Sequence, residues 1–284
     1  MSPSESVQHN RFWSEKNSRC LPLLHRLRGE VRTASPELPI RLKCFNLQGM
    51  CGRYTLAPGQ GTWEFADIRI QWDGAPRYNV APSQCAPVII TERGIPVLRE
   101  MRWGLVPSWA TDPKIGFSLV NARSESVATK PAFRGAFRHR RCLVPADGFY
   151  EWQTVDKQKR PWRFIRPDRR PFAFAGLWEC WTDPMHSGEI LETFALLTTL
   201  PNETVVPVHD RMPVILENDG IGPWLEPSTP VPTLIGLLRS YPADRLIRYR
   251  VSERVGNPRN DGADCIDPIP PSAIAMPFVQ GELL

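Results

Sequence analysis

The sequence predicts an α+β fold: a single strand-dominated domain with a curled, barrel-like sheet and a few short helices. Three observations predict it. Short apolar or alternating runs recur along the chain, Pro and Gly punctuate them, and thirty prolines spread throughout disfavour long helices.

Taken in order, Pro87–Thr91 and Ile95–Trp103 have the length and turn punctuation of strands. Ser124–Lys130 is expected to form a short helix that stops before Pro131, and Pro131–Arg140 a turn or two more. Pro161–Ile165, Pro171–Leu177, Thr193–Leu200 and Met212–Leu216 are again strand-like. Gly222–Glu226 and Pro232–Arg239 place Leu and Trp at helical spacing. No internal repeat or clean linker interrupts the domain, which is expected to span 51–275.

Residues 1–49 differ in texture. They hold eight Lys/Arg against four Asp/Glu, so most of the net charge of +5 resides there and the remainder carries 27 against 26. The apolar stretch Leu21–Leu27 is broken by Pro22, His25 and Arg26, which excludes a secretory signal core. A poorly ordered leader, or the product of an upstream start codon, is expected.

Composition narrows the class. Apolar content of 42% and charged content of 23% suit a soluble globule, and no run reaches the ~20 apolar residues of a membrane helix. Seven widely spaced cysteines without a CxxC pair support neither a disulfide framework nor a zinc knuckle. A reduced, cytoplasmic compartment fits. No cofactor is expected, and no His/Cys/Asp grouping has metal-ligand spacing.

Met50-Cys51-Gly52 carries the chemistry. If translation or processing exposes Cys51, its α-amine and thiol sit on adjacent carbons and form a two-headed nucleophile; otherwise Cys51 is a structural cysteine beside a turn glycine. Three further segments gather reactive groups at the ends of apolar runs: Asn121-Ala122-Arg123-Ser124-Glu125, Asp147-Gly148-Phe149-Tyr150-Glu151-Trp152 and Val208-His209-Asp210-Arg211. Singly, each has a bland explanation. Asn121 can cap the helix that follows, Glu125 can be a first-turn charge, Glu151 can alternate outward from a strand, and His209 can lie on a surface loop.

Together they resemble the SOS response-associated peptidase family of abasic-site-processing proteins. The resemblance rests on MCGRYT, RYNVAPSQ (77–84), RWGLVPSW (102–109), NARSE (121–125), FRxxFRHRRCLVPADGFYEW (133–152), HDRMPVIL (209–216) and VSxxVGNPRNDG (251–262), in order. It implies a DNA-damage-response enzyme that senses abasic sites in single-stranded DNA and links to them covalently through Cys51. Reversal of the linkage and self-processing peptidase activity go with it. In that reading Cys51, Asn121, Glu151 and His209 are catalytic, and Arg53, Arg123, Arg134, Arg138, Trp103 and Trp109 contact DNA, with core packing the alternative for the two tryptophans. The partner is single-stranded DNA containing abasic sites, with no membrane, a monomer as default, and association with the nucleoid when DNA-bound. The alternatives are a cysteine peptidase acting on proteins and a non-catalytic damaged-DNA-binding module.

Basic residues cluster locally. Arg134, Arg138, His139, Arg140 and Arg141 suit phosphates, whereas the run from Lys157 to Arg170, interleaved with Trp162 and Phe164, reads more readily as a solvated hairpin.

Overall fold

The computed structural model describes residues 52–59, 61–184, 188 and 190–270. The expected leader and Cys51 lie outside the described residues. Fifteen strands are present among the described residues: β1 (Arg53–Leu56), β2 (Gly61–Phe65), β3 (Ile68–Trp72), β4 (Arg77–Val80), β5 (Cys85–Glu92), β6 (Ile95–Trp103), β7 (Asn121–Arg123), β8 (Arg141–Ala146), β9 (Gly148–Val155), β10 (Gln158–Ile165), β11 (Phe172–Thr182), β12 (Ile190–Thr199), β13 (Met212–Pro213), β14 (Ile215–Leu216) and β15 (Ile247–Arg250). Three short helices accompany them: α1 (Arg134–His139), α2 (Asn218–Leu225) and α3 (Val231–Gly236).

The predicted curled sheet is a closed ring. β12 pairs with β6, β6 with β5, β5 with β8, β8 with β11, and β11 returns to β12. Closure removes free strand edges from these five. β8 is buried along its whole length, consistent with its apolar Cys-Leu-Val-Pro-Ala run. A second, antiparallel sheet runs in the order β15–β10–β9–β1–β4. Aromatic side chains join the two. Tyr54 of β1 meets Trp103 at 5.3 Å and Phe174 at 5.9 Å, and Phe149 of β9 stacks on Phe164 at 4.8 Å while touching Phe174. Burying each such ring contributes about 1.5–3 kcal/mol.

β6 and β7 lie in series along the same edge of β12, both parallel to it. The chain leaves the edge after Trp103 and rejoins it at Asn121. Gly104 makes this possible: its φ of +128° suits glycine, and a Cβ there would stand 2.7 Å from the Gly116 carbonyl. The excursion closes with Leu105 N–H donating to the Leu119 carbonyl.

Two local expectations change. Ser124–Lys130 is a chain of turns rather than a helix, held by bonds such as Ser126 N–H to Arg123 C=O and Thr129 N–H to Ser126 C=O. Helix instead begins at Arg134. The expected Met212–Leu216 strand divides into β13 on β12 and β14 on β11, because Val214 bridges the two with N–H to Leu197 C=O and its own carbonyl to Ala175.

Candidate functional site

The site forms where β9, the start of β7 and the loop between β12 and β13 meet. Glu151 occupies the fourth position of β9, between β1 and β10. It shares a face with Phe149, whose ring is in the core, so it turns inward and its side chain is only 1% exposed. The outward, solvated carboxylate is therefore ruled out. Residue pairing sets Arg53 opposite Tyr150 and Tyr54 opposite Phe149. Continued by one step, that register brings Gly52 opposite Glu151. Cys51, the expected nucleophile, precedes Gly52 in the sequence and lies outside the described residues.

Asn121 opens β7 opposite Leu196 and is buried. It caps no helix. The strand is fixed just before it, because the Val120 carbonyl accepts from both Trp103 Nε1–H and Leu196 N–H.

His209 sits on the loop 200–211, its side chain 14% exposed. Several bonds tie that loop down. Asn202 donates to the Tyr241 carbonyl, Gln153 of β9 donates to the Pro207 carbonyl, and Arg248 of β15 donates to the Thr204 carbonyl. Arg211 forks onto Glu125, at 2.5 and 3.0 Å, and also reaches the Thr198 carbonyl at 2.7 Å. The Arg211 guanidinium holds the Glu125 carboxyl below the usual carboxylate range.

The histidine ring is oriented by its own loop. Its Nδ1 faces the Arg211 backbone and, when unprotonated, accepts from the Arg211 N–H at 3.0 Å. Nε2 lies 3.8 Å from Oε2 of Glu151. The Arg211 carbonyl at 3.1 Å and Asp210 Oδ1 at 3.3 Å also face Nδ1, so a protonated ring finds acceptors without moving. A buried carboxylate beside a histidine with partners for both charge states is an arrangement for moving protons.

The residues expected to contact DNA divide. Arg123 ends β7 and is exposed. Arg134 and Arg138, one helical turn apart on α1, both face solvent. Trp109 projects from the β6–β7 excursion, 61% exposed, and borders a pocket of about 220 Å³ that it shares with Pro131, Arg134, Arg140 and Glu179. Trp103 departs from the expectation. At 1% exposure it is core, stacked on Phe194 and packed against Tyr54, and no base can reach its ring. Arg53 is occupied structurally: it donates to Asn79 Oδ1 and to the Val255 and Gly256 carbonyls, and its guanidinium lies over Trp152. Elsewhere in the basic clusters, Arg140 pairs with Glu179, while buried Arg141 donates to the Phe137, Trp224 and Glu226 carbonyls. Arg163 is buried against Asp147 at 2.6 Å.

Sequence reasoning missed the clamp beneath Arg53. Buried Asn79 donates to the carbonyls of Val255, Asn257 and Asn260, and Asp261 Oδ1 accepts from the N–H groups of Tyr78 and Asn79. The Asn-Pro-Arg-Asn-Asp stretch (257–261) was the available signal, since Asn and Asp at turns commonly bond backbone. The helix charge assigned to Glu125 is likewise an anchor for Arg211.

The profile of the SOS response associated peptidase family matches residues 50–258. The chain belongs to this family. Abasic site processing protein YoaM of Bacillus subtilis is 43% identical over 229 residues, covering 77% of this chain and 98% of the relative. Abasic site processing protein YedK of Escherichia coli is 30% identical over 230 residues, covering 78% and 100%. Among solved structures, a protein from Bacteroides thetaiotaomicron superposes with a TM-score of 0.63 at 27% identity, covering 68% of this chain and 86% of that one. The family match extends over β1 to β15 and so over Asn121, Glu151 and His209 alike. Among the described residues of this family member no group of three His, Cys, Asp or Glu side chains could hold a metal ion, and no helix is long and apolar enough to cross a membrane.

Proposed function

We propose that this protein captures abasic sites in single-stranded DNA through Cys51 as an N-terminal residue. The observation that carries the proposal is the Glu151–His209 pair beside Gly52, the residue covalently next to Cys51. Relatives named abasic site processing proteins supply the substrate.

The α-amine attacks the open-chain aldehyde of the sugar and gives a carbinolamine. Loss of water yields an imine. The thiol adds to the imine carbon, its proton passes to nitrogen, and a thiazolidine ring forms with one water released overall. An α-amine of pKa roughly 7.7–8.0 is partly nucleophilic near neutrality, unlike lysine at about 10.4. The ring-closing step is intramolecular, where effective molarities on the order of 10⁵ M are attainable. Glu151 takes the proton released as the carbinolamine forms. His209, with Nε2 turned to Glu151, delivers a proton to the departing hydroxyl and to the opening sugar ring. Asn121 orients the amine through neutral hydrogen bonding. Arg123, Arg134 and Arg138 meet phosphates, and Trp109 offers the exposed ring for an unstacked base.

The test compares chains that begin at Cys51 with chains retaining residues 1–50. Incubation with abasic single-stranded DNA, followed by denaturing electrophoresis, is expected to show a linkage only for the former and none for Cys51→Ala. An equal linkage in Cys51→Ala overturns the proposal. The family description also supports a second reading, in which the same cysteine cleaves peptide bonds, in the first instance the one preceding itself. Mass spectrometry of the full chain over prolonged incubation tests it: an unchanged mass rejects self-cleavage.

A further inference from the structure

The sheet that buries Glu151 continues outward as a row of cationic side chains. Across β9, β10 and β15 the register aligns Glu151, Trp162 and Arg250, and directly paired residues on antiparallel strands point to the same face. Arg160 lies two residues from Trp162 and Arg248 two residues from Arg250, so they share that face. Arg250 is thus two strand spacings, roughly 10 Å, from Glu151.

The arrangement is built rather than scattered. The Arg248 and Arg250 guanidinia lie 5.5 and 5.7 Å from the Trp162 ring centroid. Trp162 in turn donates to Gln153, whose amide donates to the Pro207 carbonyl of the His209 loop. Arg248 also bonds that loop at the Thr204 carbonyl. Arg160 and Arg250 have no ion pair among the described residues, and Arg250 Nε is buried without a partner. Burial and the like charge of Arg160 both depress Arg250, with exposed Glu253 the opposing carboxylate. Two half-buried guanidinia on one face, each without a carboxylate partner among the described residues, suit an anion.

We propose that Arg160, Arg248 and Arg250, arrayed around Trp162, form a second subsite that holds the phosphodiester backbone of the strand leading away from Glu151. The proposal rests on the DNA reading of the main site. Guanidinium forks match phosphate oxygens in two-point fashion. Arg248 and Arg250 are roughly 6.6 Å apart along their strand, on the scale of successive phosphates in an extended chain. The aromatic ring between them fixes both before binding, which lowers the ordering cost.

The test uses undamaged single-stranded oligonucleotides, so that it does not depend on covalent chemistry. Fluorescence anisotropy of the full chain is followed against salt for wild type and for the double variant Arg160→Gln/Arg250→Gln. With a long oligonucleotide the variant is expected to show a salt slope shallower by about 1.4, reflecting two lost phosphate contacts. The wild-type advantage then shrinks about sevenfold between about 50 and about 200 mM salt. With an oligonucleotide too short to leave the main site the two proteins are expected to match, and Arg160→Lys/Arg250→Lys is expected to recover most of the slope. An unchanged slope on the long strand overturns the subsite. So does selective binding of a polyglutamate peptide with DNA binding unaltered, which assigns the face to an acidic protein. A slope difference in the full chain, together with failure of the chain that begins at Cys51 to link to abasic DNA, upholds the subsite while removing the covalent reading.

Discussion

Nε2 of His209 stands 3.8 Å from Oε2 of Glu151, while the opposite nitrogen of the same ring is engaged by the Arg211 backbone. The histidine therefore turns its Nε2 edge to the carboxylate, and the loop that holds the Nδ1 edge sets that orientation.

Replacing Glu151 with Gln keeps the shape and removes the proposed base. Linkage to abasic single-stranded DNA is expected to slow by about 10²-fold or more in a quenched time course, as is typical when a positioned acid or base is lost. His209→Ala is expected to act in the same direction. A rate within threefold of wild type for both variants removes the proton-transfer roles.

Glu125 bears on the same ring through Arg211. Its folded carboxyl titrates below the unfolded one, so the pair's stabilisation is complete above the ordinary carboxylate range and fades as pH falls through the lowered value. Because Glu125 is half exposed, the effect is no more than about 1 kcal/mol. Melting curves should show Glu125→Gln below wild type at neutral pH and the two converging in acid. A gap that is constant with pH contradicts the assignment.

Asn79→Ala removes a buried side chain that bridges β4 to three carbonyls of the 255–260 segment. Orphaning those groups is expected to cost about 3 kcal/mol, read by urea denaturation. Arg53 loses a partner with it. A cost under about 1 kcal/mol is the contrary result.

Burial raises the thiols of Cys142, Cys180 and Cys265 away from the reactive range. Iodoacetamide at neutral pH, followed by peptide mapping, is expected to spare Cys142 above all in the folded protein. Rapid labelling of Cys142 contradicts the packing around it.

Much of this architecture is readable from residues alone. β6 spans Ile95–Trp103, as the run between Gly94 and Gly104 indicates, because glycine at both ends permits the backbone to turn. The motif segments also identify the strands and loops that supply Asn121, Glu151 and His209. Facing is harder to read. Glu151 sits between aromatic neighbours in a strand covered on both edges, and local alternation cannot reveal that its side is the enclosed one. Trp103 and Trp109 share one motif yet have opposite fates, since the first ends a barrel strand and the second follows the glycine at which the chain departs. The turns at 124–130 escaped for a related reason: Arg211 captures Glu125 from a distant loop, and a local pattern carries no trace of that partner.

The excursion between β6 and β7 leaves and rejoins a single edge of β12, so its length is uncoupled from ring closure. A segment anchored in this way can be lengthened, trimmed or rewritten while the scaffold stays put. The stem at Gly104 and Gly116 acts as a hem, and the reach and chemistry of the exposed surface around Trp109 can diverge between homologues without the fold having to follow.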